Sequence, residues 1–157
     1  MIHEINGSLL DSNCQYICHQ VNCQGCMASG VAKQIRDKWP NVYTSYMGWY
    51  NYHHSRGGEQ NLHGEVQFIP IADNKTVVNM FAQLFYGYDG RRYTSYDAFW
   101  ACLEKIAQTV PKGSLIAFPS HIGCARGGAN WNVIKNMIEV VLSKDYNVFI
   151  YYLEEEK

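Results

Sequence analysis

Apolar residues along this 157-residue chain gather into short runs separated by polar, glycine-bearing stretches. Residues 15–21 (QYICHQV) form a largely apolar run that ends at a glycine-containing loop, which predicts a buried strand. Residues 29–38 switch to helical spacing, with Val31, Ile35 and Trp39 near one face. Pro40 ends this helix, because the residue before a proline is pushed out of the helical region. A second helix is expected over 42–54, loaded with Tyr43, Tyr46, Trp49, Tyr50 and Tyr52 and closed by Arg56-Gly57-Gly58. Residues 65–71 (EVQFIPI) and 76–83 (TVVNMFAQ) read as two strands joined by the turn-like Ala72-Asp73-Asn74-Lys75. After a Gly- and Tyr-rich loop at 84–92, Thr94 or Ser95 can cap a helix over 96–110 with Phe99, Leu103 and Ile106 on one face. Residues 114–118 (SLIAF) and 147–153 (NVFIYYL) are further strands, and between them Asn130 caps an amphipathic helix running to Leu142.

The predicted order is strand, helix, helix, strand, strand, helix, strand, helix, strand. Strands that alternate with helices and are apolar throughout argue for an α/β sandwich around a buried, mixed sheet. No repeat or linker interrupts the pattern, so residues 1–157 are read as a single domain. Such a length buries roughly 70% of the unfolded surface. The chain is 47% hydrophobic and 17% charged, which argues against disorder. Thirteen Lys+Arg against fourteen Asp+Glu leave a net charge of −1. A polymeric nucleic acid needs a basic face to release its counterions, so that partner is not expected, while a small local anion site is allowed. No run approaches the ~20 apolar residues of a membrane helix, and Met1-Ile2-His3-Glu4 does not open a secretory signal. The six cysteines fall at 14, 18, 23, 26, 102 and 124, a clustering that fits reduced thiols in the cytoplasm better than a disulfide framework. The charged run at 154–157 is read as a solvated end.

One feature occurs twice. Residues 21–30 (VNCQGCMASG) and 119–128 (PSHIGCARGG) each join a buried strand to a helix through a glycine-rich loop. Glycines let backbone approach a ligand closely, and successive N–H groups near a helix N-terminus favour an anion. Ligands of open α/β sheets bind beyond the carboxyl ends of the strands, where both loops lie, so the pair can pinch a diphosphate. Glycines that merely shape tight strand-to-helix turns are the alternative. Neither loop is a Walker A, since no Gly-Lys-Ser/Thr follows.

The stretch Ile17-Cys18-His19-Gln20-Val21-Asn22-Cys23-Gln24-Gly25, with Met27-Ala28-Ser29-Gly30-Val31-Ala32-Lys33-Gln34 behind it, resembles the first ligand loop of macrodomains. Asn79-Met80-Phe81-Ala82-Gln83 resembles their central strand, and Arg92-Tyr93-Thr94-Ser95-Tyr96-Asp97-Ala98 the start of the helix after it. Phe118-Pro119-Ser120-His121-Ile122-Gly123-Cys124 through Gly127-Gly128 and Trp131 resembles their second phosphate loop. The similarity is strongest to the phage, bacterial and yeast branch that processes ADP-ribose 1″-phosphate. It implies a three-layer α/β/α sandwich with a central mixed sheet, and a cleft for ADP-ribose or a close derivative.

The resemblance implies ligand contacts from Asn22, at the distal ribose, and from Gly25, Met27, Ala28, Ser29, Gly30 and Val31 of the first loop. It implies the same for Ser120, His121, Ile122, Gly123, Cys124, Ala125, Arg126 and Gly127 of the second loop, for Ser8, Leu9 and Gln83, and for Tyr151 near the adenine. Many macrodomains carry an Asp in the turn that here reads Asn6-Gly7-Ser8-Leu9; Ser8 accepts a hydrogen bond without the charge. A related branch removes ADP-ribose from glutamate with a Lys and an Asp, and the matching residues here are Gln83 and Gly127. Gln83 cannot form a Schiff base and Gly127 has no side chain to act as a base, so that mechanism is not expected.

His19 is then the candidate for chemistry, as a general base or as a charged helper at a terminal phosphate; the alternative is a ring hydrogen-bonded in the core. Ser120 and His121 are sequence neighbours whose side chains diverge, so they do not make a dyad. Cys124 is either an activated thiol or a small buried filler. Arg91, Arg92 and Arg126 are candidates to reach a phosphate. Tyr43, Tyr46 and Tyr50 are read as packing rather than a nucleotide platform, and His53-His54 as a helix end. Cys23-x-x-Cys26 has metal-ligand spacing, but no second Cys or His pair at such spacing follows it, so neither a metal nor a cofactor is expected. Three classes of function remain: an enzyme that hydrolyses a group from the distal ribose, with the 1″-phosphate as first choice; a module that recognises or sequesters an ADP-ribose-type signalling nucleotide, including cyclic or amino-acid-linked forms; and an interaction protein with an empty cleft.

Overall fold

The structure, a computed structural model, describes residues 1–87 and 89–153, and the charged run at 154–157 lies outside the described residues. Six strands, β1 (Ile2–Asn6), β2 (Tyr16–Asn22), β3 (Val66–Ala72), β4 (Lys75–Gln83), β5 (Leu115–Pro119) and β6 (Asn147–Tyr152), form one sheet in the order β1-β6-β5-β2-β4-β3. Neighbours are parallel except β3 and β4, which are antiparallel. Four helices, α1 (Gly30–Lys38), α2 (Pro40–His54), α3 (Tyr96–Thr109) and α4 (Trp131–Leu142), complete a three-layer α/β/α sandwich with a mixed sheet, as the sequence implies.

Alternation along each strand divides the core into two. Cys18, Val78, Met80, Ile116, Phe118, Val148 and Ile150 face α3 and α4, where Phe99, Leu103, Ile106, Ile134 and Ile138 are fully buried. Ile17, Val21, Val77, Phe81 and Ala117 face α1 and α2, where Ile35, Val42 and Tyr46 meet them. Strands covered on both faces have no room for polar alternation, which is why they read as continuous apolar runs.

The expected elements are present, with two differences. The first strand, β1, escapes the apolar pattern because IHEIN is short, mixed in polarity and at an edge, where it pairs with β6. Pro40, expected only to end the first helix, also opens α2 at its first position, where a missing N–H costs nothing. Ser95, not Thr94, caps α3 by accepting from the Ala98 N–H. The turn between β3 and β4 places Asn74 at φ 57°, a conformation that Asn tolerates better than most residues. No helix among the described residues is long and apolar enough to cross a membrane.

At the start of α4, Asn130 Oδ1 accepts from the Asn132 and Val133 N–H groups at 2.9 and 3.3 Å. Asn130→Ala should therefore cost about 1 kcal/mol of stability, read as a lower urea midpoint with an unchanged slope.

Candidate functional site

The site begins as a fork in the sheet. β2 pairs with β5 only at Tyr16↔Ile116 and Ile17↔Ala117. Beyond that level β2 stays with β4 as far as Asn22↔Gln83, while β5 stays with β6 as far as Pro119↔Tyr151. The carboxyl-terminal halves of β2 and β5 thus part company, and a cavity of about 280 Å³ opens between them. Its walls are the end of β2 with the first turn of α1 on one side, and Pro119 through Gly127 on the other.

Asn22 braces the first wall. Its Oδ1 accepts from the Gln24 and Cys26 N–H groups at 2.9 and 3.3 Å, and its Nδ2 donates to Cys26 O at 2.8 Å. The buried Tyr46 hydroxyl lies 2.8 Å from both Asn22 O and Asn22 Oδ1. Helix α1 then starts without a side-chain cap at Ser29 and without an acid in its first turn. The N–H groups at Gly30, Val31 and Ala32 have no helical acceptor, and all three residues line the cavity. An uncapped helix start facing a cavity is a ready place for an anion.

The second wall is a turn held from behind. Tyr93 N and Thr94 N both donate to Gly127 O, at 2.8 and 2.9 Å, and Thr94 Oγ1 donates to Gly123 O at 2.8 Å. A Cβ on Gly127 would fall 2.3 Å from Thr94 Oγ1 and 2.4 Å from Gly123 O, so no other residue fits there. His121 sits at φ 58°, a strained conformation for a residue with a Cβ, and its ring stacks on Trp131 at 5.1 Å. The second loop differs from the first in one respect. Because Asn130 already satisfies the start of α4, this turn offers its own backbone rather than a helix end.

No family model matches the sequence, and no curated protein matches it. Solved structures do. A protein of unknown function from Bacteroides thetaiotaomicron superposes with a TM-score of 0.83 at 27% identity, over 98% of this chain and 98% of that one. The macrodomain of Thermus aquaticus DarG gives 0.76 at 22% identity, over 96% and 97%. Thermosipho africanus DarTG in complex with ADP-ribose gives 0.74 at 18% identity, over 96% of this chain and 41% of that one. The chain has the macrodomain fold.

His19 is 1% exposed and is among the residues lining the cavity. Its Nε2 is hydrogen-bonded to Asn79 Oδ1, and Nδ1 is buried without a partner. Burial pulls its pKa down to about 4, against the Asn79 hydrogen bond, which raises it. The ring is therefore neutral at pH 7, which removes the charged-helper role and leaves that of an acceptor. Ser120 Oγ is buried and makes no hydrogen bond, so there is no Ser120–His121 dyad. Burial pushes the Cys124 thiol up to about 11, so it is a protonated filler and not an activated nucleophile. All six cysteines are free.

Of the expected ligand residues, Asn22, Ala28, Ser29, Gly30, Val31, Gln83 and the run 120–127 line the cavity, and Ser8, Leu9, Gly25, Met27 and Tyr151 do not. Ser8 Oγ caps a 3₁₀ turn by accepting from Leu10 N. Leu9 and Met27 are buried in the core under α1 and α2, and Tyr151 packs against that same core. Gly25 is needed by Tyr50, whose ring carbon would lie 2.8 Å from a Cβ there. Arg91 pairs with Asp89 at 3.3 Å and Arg92 lies 4.5 Å over the Tyr96 ring; of the three arginines only Arg126 lines the cavity. Sequence reasoning did not name Gln20, Val21, Cys26, Ala32, Tyr86, Gly87 or Pro119 as ligand contacts. Gln20, a second polar residue beside His19 in an apolar strand, was the available signal. Tyr86 and Gly87 come from a loop whose position depends on tertiary folding.

Because the folded His19 resists protonation while the unfolded ring titrates near 6.5, its neutrality costs stability only in acid. Stability should be level above about pH 6.5 and fall by about 3 kcal/mol as pH drops toward 4. In His19→Gln, which keeps a donor for Asn79 and does not titrate, urea unfolding across this range should show a shallower loss.

Proposed function

We propose that this macrodomain binds ADP-ribose or an ADP-ribose-derived nucleotide in the fork between β2 and β5. The observation that carries the reading is that the uncapped start of α1 and the glycine turn at 123–127 line the same cavity. A diphosphate fits this arrangement because backbone N–H groups supply the donors on both walls. The adenosine end then runs along the carboxyl edge toward Tyr151 on β6 and Ser8 just after β1, one and two strands beyond β5. The neighbour solved with ADP-ribose supports the ligand class. Free cysteines fit a reducing compartment such as the cytoplasm.

The hydrolytic form of this reading removes a substituent of the distal ribose such as the 1″-phosphate, with the free Nδ1 of His19 as general base. Binding without turnover is favoured by the burial of that ring, and by Gln83 and Gly127 standing where a related branch carries Lys and Asp.

Calorimetric titration with ADP-ribose should show 1:1 binding, and absence of heat with every ADP-ribose derivative would overturn the reading. Gly123 has φ 76°, and a Cβ there would lie 2.8 Å from Gln20 Oε1, so Gly123→Val should weaken binding at least about tenfold. Incubation with ADP-ribose 1″-phosphate separates the two forms. Release of phosphate marks an enzyme, and an unchanged rate in His19→Gln removes His19 from the chemistry.

A further inference from the structure

A second groove, of about 530 Å³, lies along α2 and shares no lining residue with the cleft. Gly48, Trp49, Tyr52 and His53 form one wall, brought to one side of the helix by their i, i+3 and i+4 spacing. Asn61 and Leu62 of the 3₁₀ turn Glu59–Leu62, with Glu65 just before β3, form the other. Trp49 and Tyr52 are 39% and 56% exposed. The Trp49 ring lies nearly parallel to that of the buried Phe81, 9° off with centroids 6.0 Å apart, a stack that fixes the indole without covering it. Gly48 is a second, independent sign. A glycine inside a helix destabilises it relative to alanine. The protein's own packing does not ask for this one, since its φ is not positive and a Cβ there would meet nothing within 4 Å. A mid-helix glycine of that kind, beside two exposed rings, leaves the wall bare.

The charges around the groove select its occupant. The lining carries one carboxylate, Glu65, and neither lysine nor arginine, so an anion is opposed. Two rings of α2 already hold cations from the chain itself: the Arg36 guanidinium lies 4.0 Å over Tyr43, and that of Arg56 lies 3.9 Å over Tyr52. Among the described residues no cation lies over Trp49, although an indole attracts one more strongly than a phenol. We propose that this groove is a second ligand site, for a small alkylammonium or quaternary ammonium compound, with the cation on the Trp49 indole and Glu65 as its counter-charge. Alkyl groups on the nitrogen add apolar area, which suits a groove walled by rings. Lys105 Nζ pairs with Glu65 Oε1 at 2.7 Å in the free chain. Both side chains are partly exposed, and such pairs contribute little, so a bound cation shares or displaces Lys105 at small cost. The site does not depend on what the cleft binds.

The test follows the proton–nitrogen NMR signals of the whole chain during titration with choline and with 3,3-dimethylbutan-1-ol, which has choline's shape without its charge. Choline should shift the Trp49 indole N–H and the amides at 48–53 and 61–65 saturably, and should bind at least about fivefold more tightly than the alcohol. Glu65→Gln should weaken choline about threefold and leave the alcohol as it was. Gly48→Leu should raise the urea midpoint, because leucine is the better helix former, and abolish choline binding by filling the space over residue 48. If that variant fails to fold, Trp49→Leu, which removes the ring, carries the same comparison. The proposal is overturned if choline gives no saturable shift at these signals, if the alcohol binds as tightly as choline, or if the variant binds choline like the wild type. Movement of the same signals on raising the protein concentration alone would make this face an interface between copies of the chain, and overturns it as well.

Discussion

The site exists because two parallel strands stop pairing before they end. β2 shares only two levels of register with β5, then bulges between Gln20 and Asn22 and continues with β4 alone. Peptide groups on the facing edges lose their sheet partners at that point, and such groups must be satisfied by solvent, side chains or a ligand. In a parallel sheet the carboxyl ends of neighbouring strands open on the same side, so the turn after each strand lands on one wall of the gap. Everything else at the site answers to that geometry: Asn22 braces one wall, Thr94 braces the other, and the start of α1 is left facing the space between.

The buried polar rung beneath the fork has a second consequence. His19, Asn79 and Gln67 occupy paired positions on β2, β4 and β3, and their hydrogen bonds run straight across the three strands to Ser45 O of α2. A slip of one residue in either pairing would set an amide against an apolar side chain and leave the rest of the rung unpaired. An apolar rung of the same shape would suit the core as well in energy, but it would not distinguish one register from the next. The rung therefore specifies the alignment of β2 with β4, and through it the height at which the fork opens.

Most of the architecture was legible in the sequence, since the long apolar runs and the caps at Ser95 and Asn130 report local physics that tertiary packing does not override. β1 was not, because a five-residue edge strand of mixed polarity carries no pattern of its own and exists through its pairing with β6. The two walls of the cleft were legible from the paired glycine loops. The role of each residue within them was less so. Asn22 and Gly25 carry the look of ligand contacts, yet their immediate partners are the turn itself and Tyr50. Gln20 lies inside the first-loop stretch, yet its partners, Gln83 at the end of β4 and Thr94 just before α3, are far away in sequence. That pairing is tertiary, and a one-dimensional pattern does not hold it.

The glycines make the same point about structure and function. A Cβ at Gly123 would approach Gln20 Oε1, and one at Gly127 would strike Thr94 Oγ1, so both residues are required by the protein's own packing. Reading them as structural does not compete with reading them as ligand-binding. Packing without side chains makes the wall one backbone thick, and a backbone wall presents N–H groups directly to the cavity. In a chain whose net charge is −1, fixed peptide dipoles and the open end of α1 supply positive potential at the cavity, and Arg126 of the second turn lines it.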